Sequence, residues 1–329
     1  MVVTPAFESI LSNLAPSLRG LIFSLPENVL QSLEEIRVRK LRPLAIGFRG
    51  SSAFVTPQGE LSANPAGAYL VSPEEFLLTL QIISRSSVYV FEEQLKQGFI
   101  TLPGGHRVGV CGHFLLENGR IIGIKEVNGL NLRIAREIIG CAVPLLPKLL
   151  DESNQIGSTL IVSPPQGGKT TLLRDLTRLI STGSSSLNLA GCKVVVVDER
   201  SEIAGVYDGI PQLDVGPETD VLDACPKADG IRIAVRSLSP EVVVTDEIGT
   251  EEDVAALLEA VNSGVRIIAT VHAGSWRELE ARPSLQPLLQ AETFVNAVLL
   301  SRRHGPGTVE GVVRLKRQPP GRIEVSGSA

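Results

Sequence analysis

Nine residues, Ser163-Pro164-Pro165-Gln166-Gly167-Gly168-Lys169-Thr170-Thr171, carry the clearest chemistry of this chain. They follow an apolar, β-branched run and open a stretch of helical period, so the loop joins a strand to a helix. Glycines at such a join let main-chain N–H groups fold around phosphate oxygens, and the first helical turn adds partial positive charge. Lys169 then reaches the β/γ-phosphates of a nucleotide, and the Thr170 hydroxyl is placed to ligate Mg²⁺. The customary first glycine of this pattern is Ser163 here, and Gly167, directly before Gly168, keeps the turn flexible.

Two further runs end in acids. Val194–Val197 leads into Asp198-Glu199-Arg200, and Val242–Thr245 into Asp246-Glu247. Carboxylates at the ends of buried strands beside a phosphate loop supply negative charge where Mg²⁺ and an attacking water need it. Asp246 suits the Mg²⁺-organising position and Glu247 the water-activating one. Glu199 is the rival base, because its strand also stands to border the nucleotide. The plain alternative for either pair is a solvated strand end with helix-capping duty. The run Val265–Val271 ends at His272, which is either a γ-phosphate sensor or a packed or exposed imidazole.

Hydrolysis of a nucleoside triphosphate gains from a guanidinium on the developing charge, often one from a neighbouring domain or subunit. Arg107 and Arg133 are the candidates, ahead of Arg120 and Arg136. Arg232 and Arg236 are four apart, hence on one helical face.

Elements must hold these groups. From Thr159 onward, β-branched runs at Thr159–Val162, Val194–Val197, Val242–Val244 and Val265–Val271 alternate with helical stretches at Thr170–Ile180, Ile231–Ser237 and Glu252–Asn262. That alternation predicts a parallel sheet with active loops at the carboxyl ends of its strands. The first 150 residues read as α+β. Ser72-Pro73-Glu74-Glu75 opens a helix with a capping box, and Asn118-Gly119 joins two strands in a tight hairpin. A short helix is expected over Leu25–Leu33, strands over Glu35–Lys40 and Leu44–Phe48, and a further helix over about Ser87–Gln97. The run Val143–Pro147 reads as a linker or domain edge.

With 329 residues the chain has room for two domains at roughly 100–200 residues each. Hydrophobic residues make up 43% and charged ones 20%, which excludes disorder by composition. The net charge of −5 is unevenly spread: residues 1–150 hold 14 Lys+Arg against 12 Asp+Glu, and residues 151–329 hold 17 against 24. That balance argues against a wholesale nucleic-acid or anionic-membrane binder. No run approaches the roughly 18 apolar residues of a membrane span, and no secretory signal precedes the first helix. Cys111, Cys141, Cys192 and Cys225 lie far apart without a CxxC, which reads as a reduced, cytoplasmic chain without zinc or a disulfide framework.

The order of phosphate loop, acidic strand, second acidic strand and strand ending in His resembles the ATPases of type II and type IV secretion and of pilus retraction. Their Walker A, Asp box, Walker B and His box would here be Ser163–Thr171, Val194–Glu202, Ser239–Gly249 and Gly264–Gly274. Within that superfamily the chain most resembles the stage III sporulation protein AA family of endospore-forming bacteria. The resemblance is carried by Gly104-Gly105-His106-Arg107-Val108-Gly109, Leu130–Glu137, Val197–Ile203, Asp223-Ala224-Cys225-Pro226-Lys227, Ser239-Pro240-Glu241-Val242, and Leu300-Ser301-Arg302-Arg303 before Gly305-Pro306-Gly307.

The resemblance implies an α/β chain. A RecA-like parallel-sheet P-loop ATPase domain (146–317) is preceded by a smaller α+β N-terminal domain (1–145) and followed by a flexible tail (318–329). It implies ATP and Mg²⁺ as ligands, with Ser163, Pro164, Pro165, Gln166, Gly167, Gly168, Lys169, Thr170 and Thr171 around the phosphates and Thr170 and Asp246 at the metal. Glu247, Glu199 and His272 would serve the reaction, and Arg107 and Arg133 would approach from the N-terminal domain. It further implies a homo-oligomeric ring, a hexamer, that powers a channel between mother cell and forespore. The ring would sit on the cytoplasmic mother-cell side, docked on integral membrane partners, with no nucleic acid expected. Two other classes stay open: a nucleic-acid remodelling RecA-like NTPase, which the acidic second half and the lack of a basic–aromatic patch count against, and a scaffold that binds ATP without hydrolysing it.

Overall fold

Leu33 and Ile36 face the same core although they stand three positions apart, because the strand they share is bulged. The computed structural model describes residues 5–84 and 98–315, so the helix expected over Ser87–Gln97 and the tail from Gln318 lie outside the described residues. Two units divide the chain: Met1–Arg136 with Tyr207–Gln212, and Glu137–Val206 with Leu213–Ala329.

The first unit begins with helices α1 (Pro5–Leu11), α2 (Pro16–Phe23) and α3 (Glu27–Leu30). Strands β1 (Leu33–Arg39), β2 (Ala45–Phe48), β3 (Ser51–Val55) and β4 (Leu61–Ser62) follow, then helix α4 (Pro73–Ile83). Strands β5 (Phe99–Leu102), β6 (His106–Glu117) and β7 (Arg120–Arg133) complete an antiparallel sheet of order β4-β3-β2-β1-β7-β6-β5. The register of β1 against β2 shifts between Leu33 and Glu35, and the extra residue returns Leu33 to the buried side. One face then sends Leu33, Ile36, Val38, Val108, Leu130 and Leu132 into a core with Leu11, Leu18 and Ile22 of the helices and Phe76 of α4. The capping box of α4 is formed: Ser72 Oγ accepts the Glu75 N–H while Glu75 accepts the Ser72 N–H. Asn118 and Gly119 both lie in the left-handed region, at φ 50° and 77°, as a two-residue turn between twisted strands demands. The short helix expected over Leu25–Leu33 is only the four-residue α3, because Leu33 is drawn into β1.

The second unit opens with α5 (Leu146–Leu149), β8 (Thr159–Ser163) and α6 (Lys169–Thr182). Next come β9 (Val194–Asp198), β10 (Thr219–Asp223), α7 (Lys227–Ile233), β11 (Val242–Thr245), α8 (Glu251–Asn262) and β12 (Arg266–His272). Strands β13 (Asn296–Ser301) and β14 (Thr308–Arg314) close a sheet of order β10-β9-β11-β12-β8-β13-β14, in which only β14 runs antiparallel to its neighbour. The valines of β9 and β11 are buried on both faces, which is why their sequences run without polar alternation. The stretch Val143–Pro147 belongs with this unit: Leu145, Leu146 and Leu149 join the cluster that holds Ile161 and Leu173. The helix expected at Ile231–Ser237 starts earlier, at Lys227, and gives way to a π-type turn over Ala234–Leu238.

Two glycines in helices have opposite surroundings. A Cβ on Gly20 would meet nothing within 4 Å, whereas one on Gly230 would fall 2.5 Å from Val197 Cγ1 at the end of β9. Gly20→Ala is therefore expected to stabilise the first unit by about 0.5–1 kcal/mol through helix propensity. Gly230→Ala is expected to destabilise the second unit despite the same propensity gain, because overpacking costs about 1–3 kcal/mol. Denaturant melts of the two variants check the pair, and equal signs would contradict the packing described.

Candidate functional site

Ser163 ends β8 fully buried, and its hydroxyl donates to the Pro164 carbonyl at 2.9 Å. The following turn is closed by the Gly167 N–H on the Pro164 carbonyl at 3.1 Å, with Gln166 left-handed at φ 58°. A Cβ on Gly167 would collide with Ser163 Oγ, and one on Gly168 would stand 2.7 Å from the Gly307 nitrogen. The Gly307 N–H in turn donates to the Gly167 carbonyl at 2.9 Å, so the turn between β13 and β14 rests on this loop. Gly168, at φ 85°, hands the chain to α6, whose first residue is the buried Lys169. Pro165 and Gln166 are exposed, and Thr171 continues the helix.

Sheet order brings the other groups to the same end. Strand β12 lies between β8 and β11, so His272 pairs in register with Ser163, while β11 delivers Asp246 and Glu247 on the other side. Lys169 Nζ donates to Glu247 Oε1 at 2.8 Å and lies 3.0 Å from His272 Nε2. His272 Nε2 is also 2.7 Å from Glu247 Oε1, and Arg200 Nη1 donates to Glu247 Oε2 at 2.8 Å. Burial works to raise the Glu247 carboxyl, but the Lys169 bond and charge, with His272 beside them, hold it below the usual carboxylate range. Its backbone is left-handed, at φ 51°. The Thr170 hydroxyl donates to Asp246 Oδ2 at 2.5 Å, and Thr270 donates to Asp246 Oδ1 while accepting the Glu247 N–H.

The acids of β9 divide. Asp198 is buried and accepts the N–H groups of Glu202, Ile203 and Ala204, which makes it the staple of the loop after β9. Glu199 is exposed, and Lys227 Nζ stands 3.4 Å from its Oε2.

Arg107 and Arg133 are in the first unit, directly opposite each other on β6 and β7. Glu35 of β1 is the partner of Arg133 on its other side, so the three share the sheet face away from the core. Arg107 lies over the Phe99 ring, 3.7 Å from its centroid. His106 is buried and accepts the Ala135 N–H through Nδ1 at 3.0 Å, which binds the Gly104–Arg107 segment to the end of β7. Arg136 donates to the Leu33 carbonyl at 2.8 Å, and Arg232 pairs with Glu259. Arg200, Lys227 and Thr270 were not singled out for roles from sequence. Their positions arise from strand order, although the stretch Asp223–Lys227 already stood out as a motif.

Among the described residues no group of three or more His, Cys, Asp or Glu is arranged to hold a metal. Thr170 and Asp246 offer two hard oxygen ligands side by side, the donor set of an Mg²⁺ that takes its other ligands from phosphates and water. The glycine cradle and the buried ammonium of Lys169 fit the phosphates themselves. No helix of the described residues is long and apolar enough to cross a membrane.

A family model described as "Sporulation stage III, protein AA" matches residues 6–318. Stage III sporulation protein AA of Bacillus subtilis (strain 168) is 44% identical over 299 residues, covering 91% of this chain and 92% of that protein. Among solved structures, the Legionella pneumophila ATPase DotB matches with a TM-score of 0.53 at 18% identity, over 81% of this chain and 72% of that one. The pilus retraction motor PilT with bound ADP matches with a TM-score of 0.50 at 15% identity, over 83% of this chain and 76% of that one. At these identities the likeness concerns the fold, a RecA-like α/β domain behind an N-terminal domain.

Asp198 gives the site a pH signature. Burial, with Asp223 nearby, pushes its carboxyl up to about 6 against the pull of three amide donors. A carboxyl raised in the folded state stays protonated there while the unfolded chain has already ionised, so its contribution to stability is full below about pH 4 and is lost as pH rises through about 6. Asp198→Asn does not titrate. Denaturant melts at pH 4.5 and 7.5 are expected to show the variant gaining on the wild type by about 1–3 kcal/mol at the higher pH. A difference independent of pH would refute the assignment.

Proposed function

Because the chain belongs to the sporulation stage III protein AA family, we propose that it is an ATPase that cleaves ATP to ADP and phosphate in its second unit. The observation that carries this reading is the meeting of Lys169, Glu247 and His272 within 3.0 Å of one another at the ends of β8, β11 and β12, beside the Thr170–Asp246 pair. Main-chain N–H groups from Gly168 to Thr170, at the start of α6, bind the phosphates, and Lys169 exchanges its Glu247 partner for β/γ-phosphate oxygens. Thr170 and Asp246 would hold Mg²⁺, which would supply positive charge against the phosphates. Glu247, freed from Lys169, orients a water and accepts its proton at Oε1 as that water bonds to the γ-phosphorus and the bond to the ADP oxygen breaks. His272 remains beside the γ-phosphate position and reports its occupancy to β12. Arg107 and Arg133 supply guanidinium charge from the first unit of the ring. The protein works as a homo-oligomeric, hexameric motor on the cytoplasmic face of a sporulation channel, docked on integral membrane partners.

Phosphate release and binding of a fluorescent ATP analogue test the reading. Lys169→Ala is expected to weaken nucleotide binding by at least about 100-fold, since Lys169 is the ammonium that the loop itself carries to the phosphates. Normal turnover by that variant would sink the phosphate-loop assignment.

Glu247→Gln removes the carboxylate that competes for Lys169. It is expected to bind nucleotide at least as tightly as wild type while turnover falls by about 100-fold or more. If Glu199→Gln stalls turnover and Glu247→Gln does not, the base belongs to β9.

Arg133→Ala is expected to lower turnover at least about tenfold, equivalent to about 1.4 kcal/mol of transition-state stabilisation, with melting unchanged. Turnover that falls only with the folded fraction would make Arg133 a structural partner of Glu35.

A further inference from the structure

Lys227 is a buried ammonium that the proposed chemistry leaves unused. It opens α7 directly after Pro226 and is 8% exposed. Its Nζ donates to the main-chain carbonyl of Glu247 at 3.0 Å and stands 3.4 Å from Glu199 Oε2 and 3.8 Å from Asp253 Oδ2. Each contact comes from a different part of the chain: the loop after β11, the loop after β9, and α8. Asp253 is itself fixed, because it completes the capping box of α8 and accepts the Gly249 and Thr250 N–H groups.

Burying an ammonium costs more than burying an apolar side chain of the same length, and stability alone does not account for it. What Lys227 touches does. Glu247 is a non-glycine residue in the left-handed region, a conformation that persists only where its surroundings over-determine it. The Glu247 N–H is held by Thr270 Oγ1 at 2.9 Å and by Asp246 Oδ1 at 3.0 Å. On the opposite side of the same residue, Lys227 holds the carbonyl. With both peptide groups fixed, the Glu247 carboxylate is aimed at Lys169 and His272. Released from Lys227, the backbone relaxes toward an ordinary conformation and the carboxylate leaves that line.

We propose that Lys227 is a positioning residue of the site. Its ammonium clamps the left-handed backbone of Glu247 and, through Glu199, ties the end of β9 to the end of β11. This inference rests on the ATPase reading for its effect on turnover, but the clamp itself is a structural claim with its own readout.

The experiment compares Lys227→Met, which keeps length and loses charge, with Lys227→Arg, which keeps charge, each in the wild-type and Glu247→Gln backgrounds. Lys227→Met is expected to lower kcat at least about tenfold while affinity for the ATP analogue changes less than about threefold, with partial recovery in Lys227→Arg. In the Glu247→Gln background the same change is expected to cost less than about twofold, because a residue acting through Glu247 has nothing left to position. Amide exchange at Glu247, Ile248 and Gly249 is expected to accelerate at least about tenfold while β11 stays protected. Equal losses of kcat in both backgrounds, or unchanged exchange at those amides, would overturn the proposal. If Lys227→Met does not fold, Lys227→Arg carries the same measurements, with a smaller loss of kcat and faster exchange at the same amides expected. If wild-type protein releases no phosphate, the ATPase reading falls, and amide exchange still decides the clamp.

Discussion

One carboxylate facing two cations and an imidazole organises this molecule. Glu247 meets Lys169, His272 and Arg200 with its side chain while its backbone is left-handed. Such a concentration of positive charge around a single acid is stable only where the strands that carry the partners are held in register. The parallel sheet does this: β12 between β8 and β11 puts the imidazole beside the lysine, and β9 beyond β11 brings up the guanidinium. The valine-rich strands thus have a task beyond filling a core. Their apolar packing fixes the spacing at which the charges meet.

The same carboxylate explains why the phosphate loop is preformed. Lys169 sits buried with a counter-charge in place, so an otherwise uncompensated ammonium does not have to be maintained before a ligand arrives. In the proposed reaction a phosphate entering the loop would take over that counter-charge, and the displaced glutamate would become available to water. Charge exchange of this kind would link occupancy of the loop to the position of the candidate base without any movement of the strands.

Much of this was legible in the sequence, and the limits have physical causes. Strands β8, β9, β11 and β12 were readable because burial on both faces leaves runs of mostly β-branched and apolar residues, and the ends of those runs marked Asp198, Asp246, Glu247 and His272. The α4 cap and the Asn118-Gly119 turn were readable because their chemistry is local. Helix α2 was not: it begins at Pro16 after Ala15, with no side-chain cap to signal it. Strand β10 mixes Asp and Thr with apolar residues because it lies at the sheet edge and is only half buried. The partners of Lys227 come from positions 199, 247 and 253, and no spacing rule relates them. Arg107 and Arg133 could be placed on strands, but their cross-strand pairing is a matter of register, which the sequence carries only through the pattern of burial.

The buried hydroxyl under the phosphate loop has a consequence for how this sequence can change. Ser163 occupies the space that a side chain at position 167 would need, so the two positions are not free to vary in either order. While Ser163 stands, any side chain at 167 must first displace its hydroxyl from the Pro164 carbonyl. Once position 163 is reduced to glycine, that particular obstruction at 167 disappears, leaving the Pro164 carbonyl, 3.0 Å from the same point, as the next limit. A neutral drift through this loop therefore has a preferred direction, with the residue at the end of the strand changing before the residue in the turn.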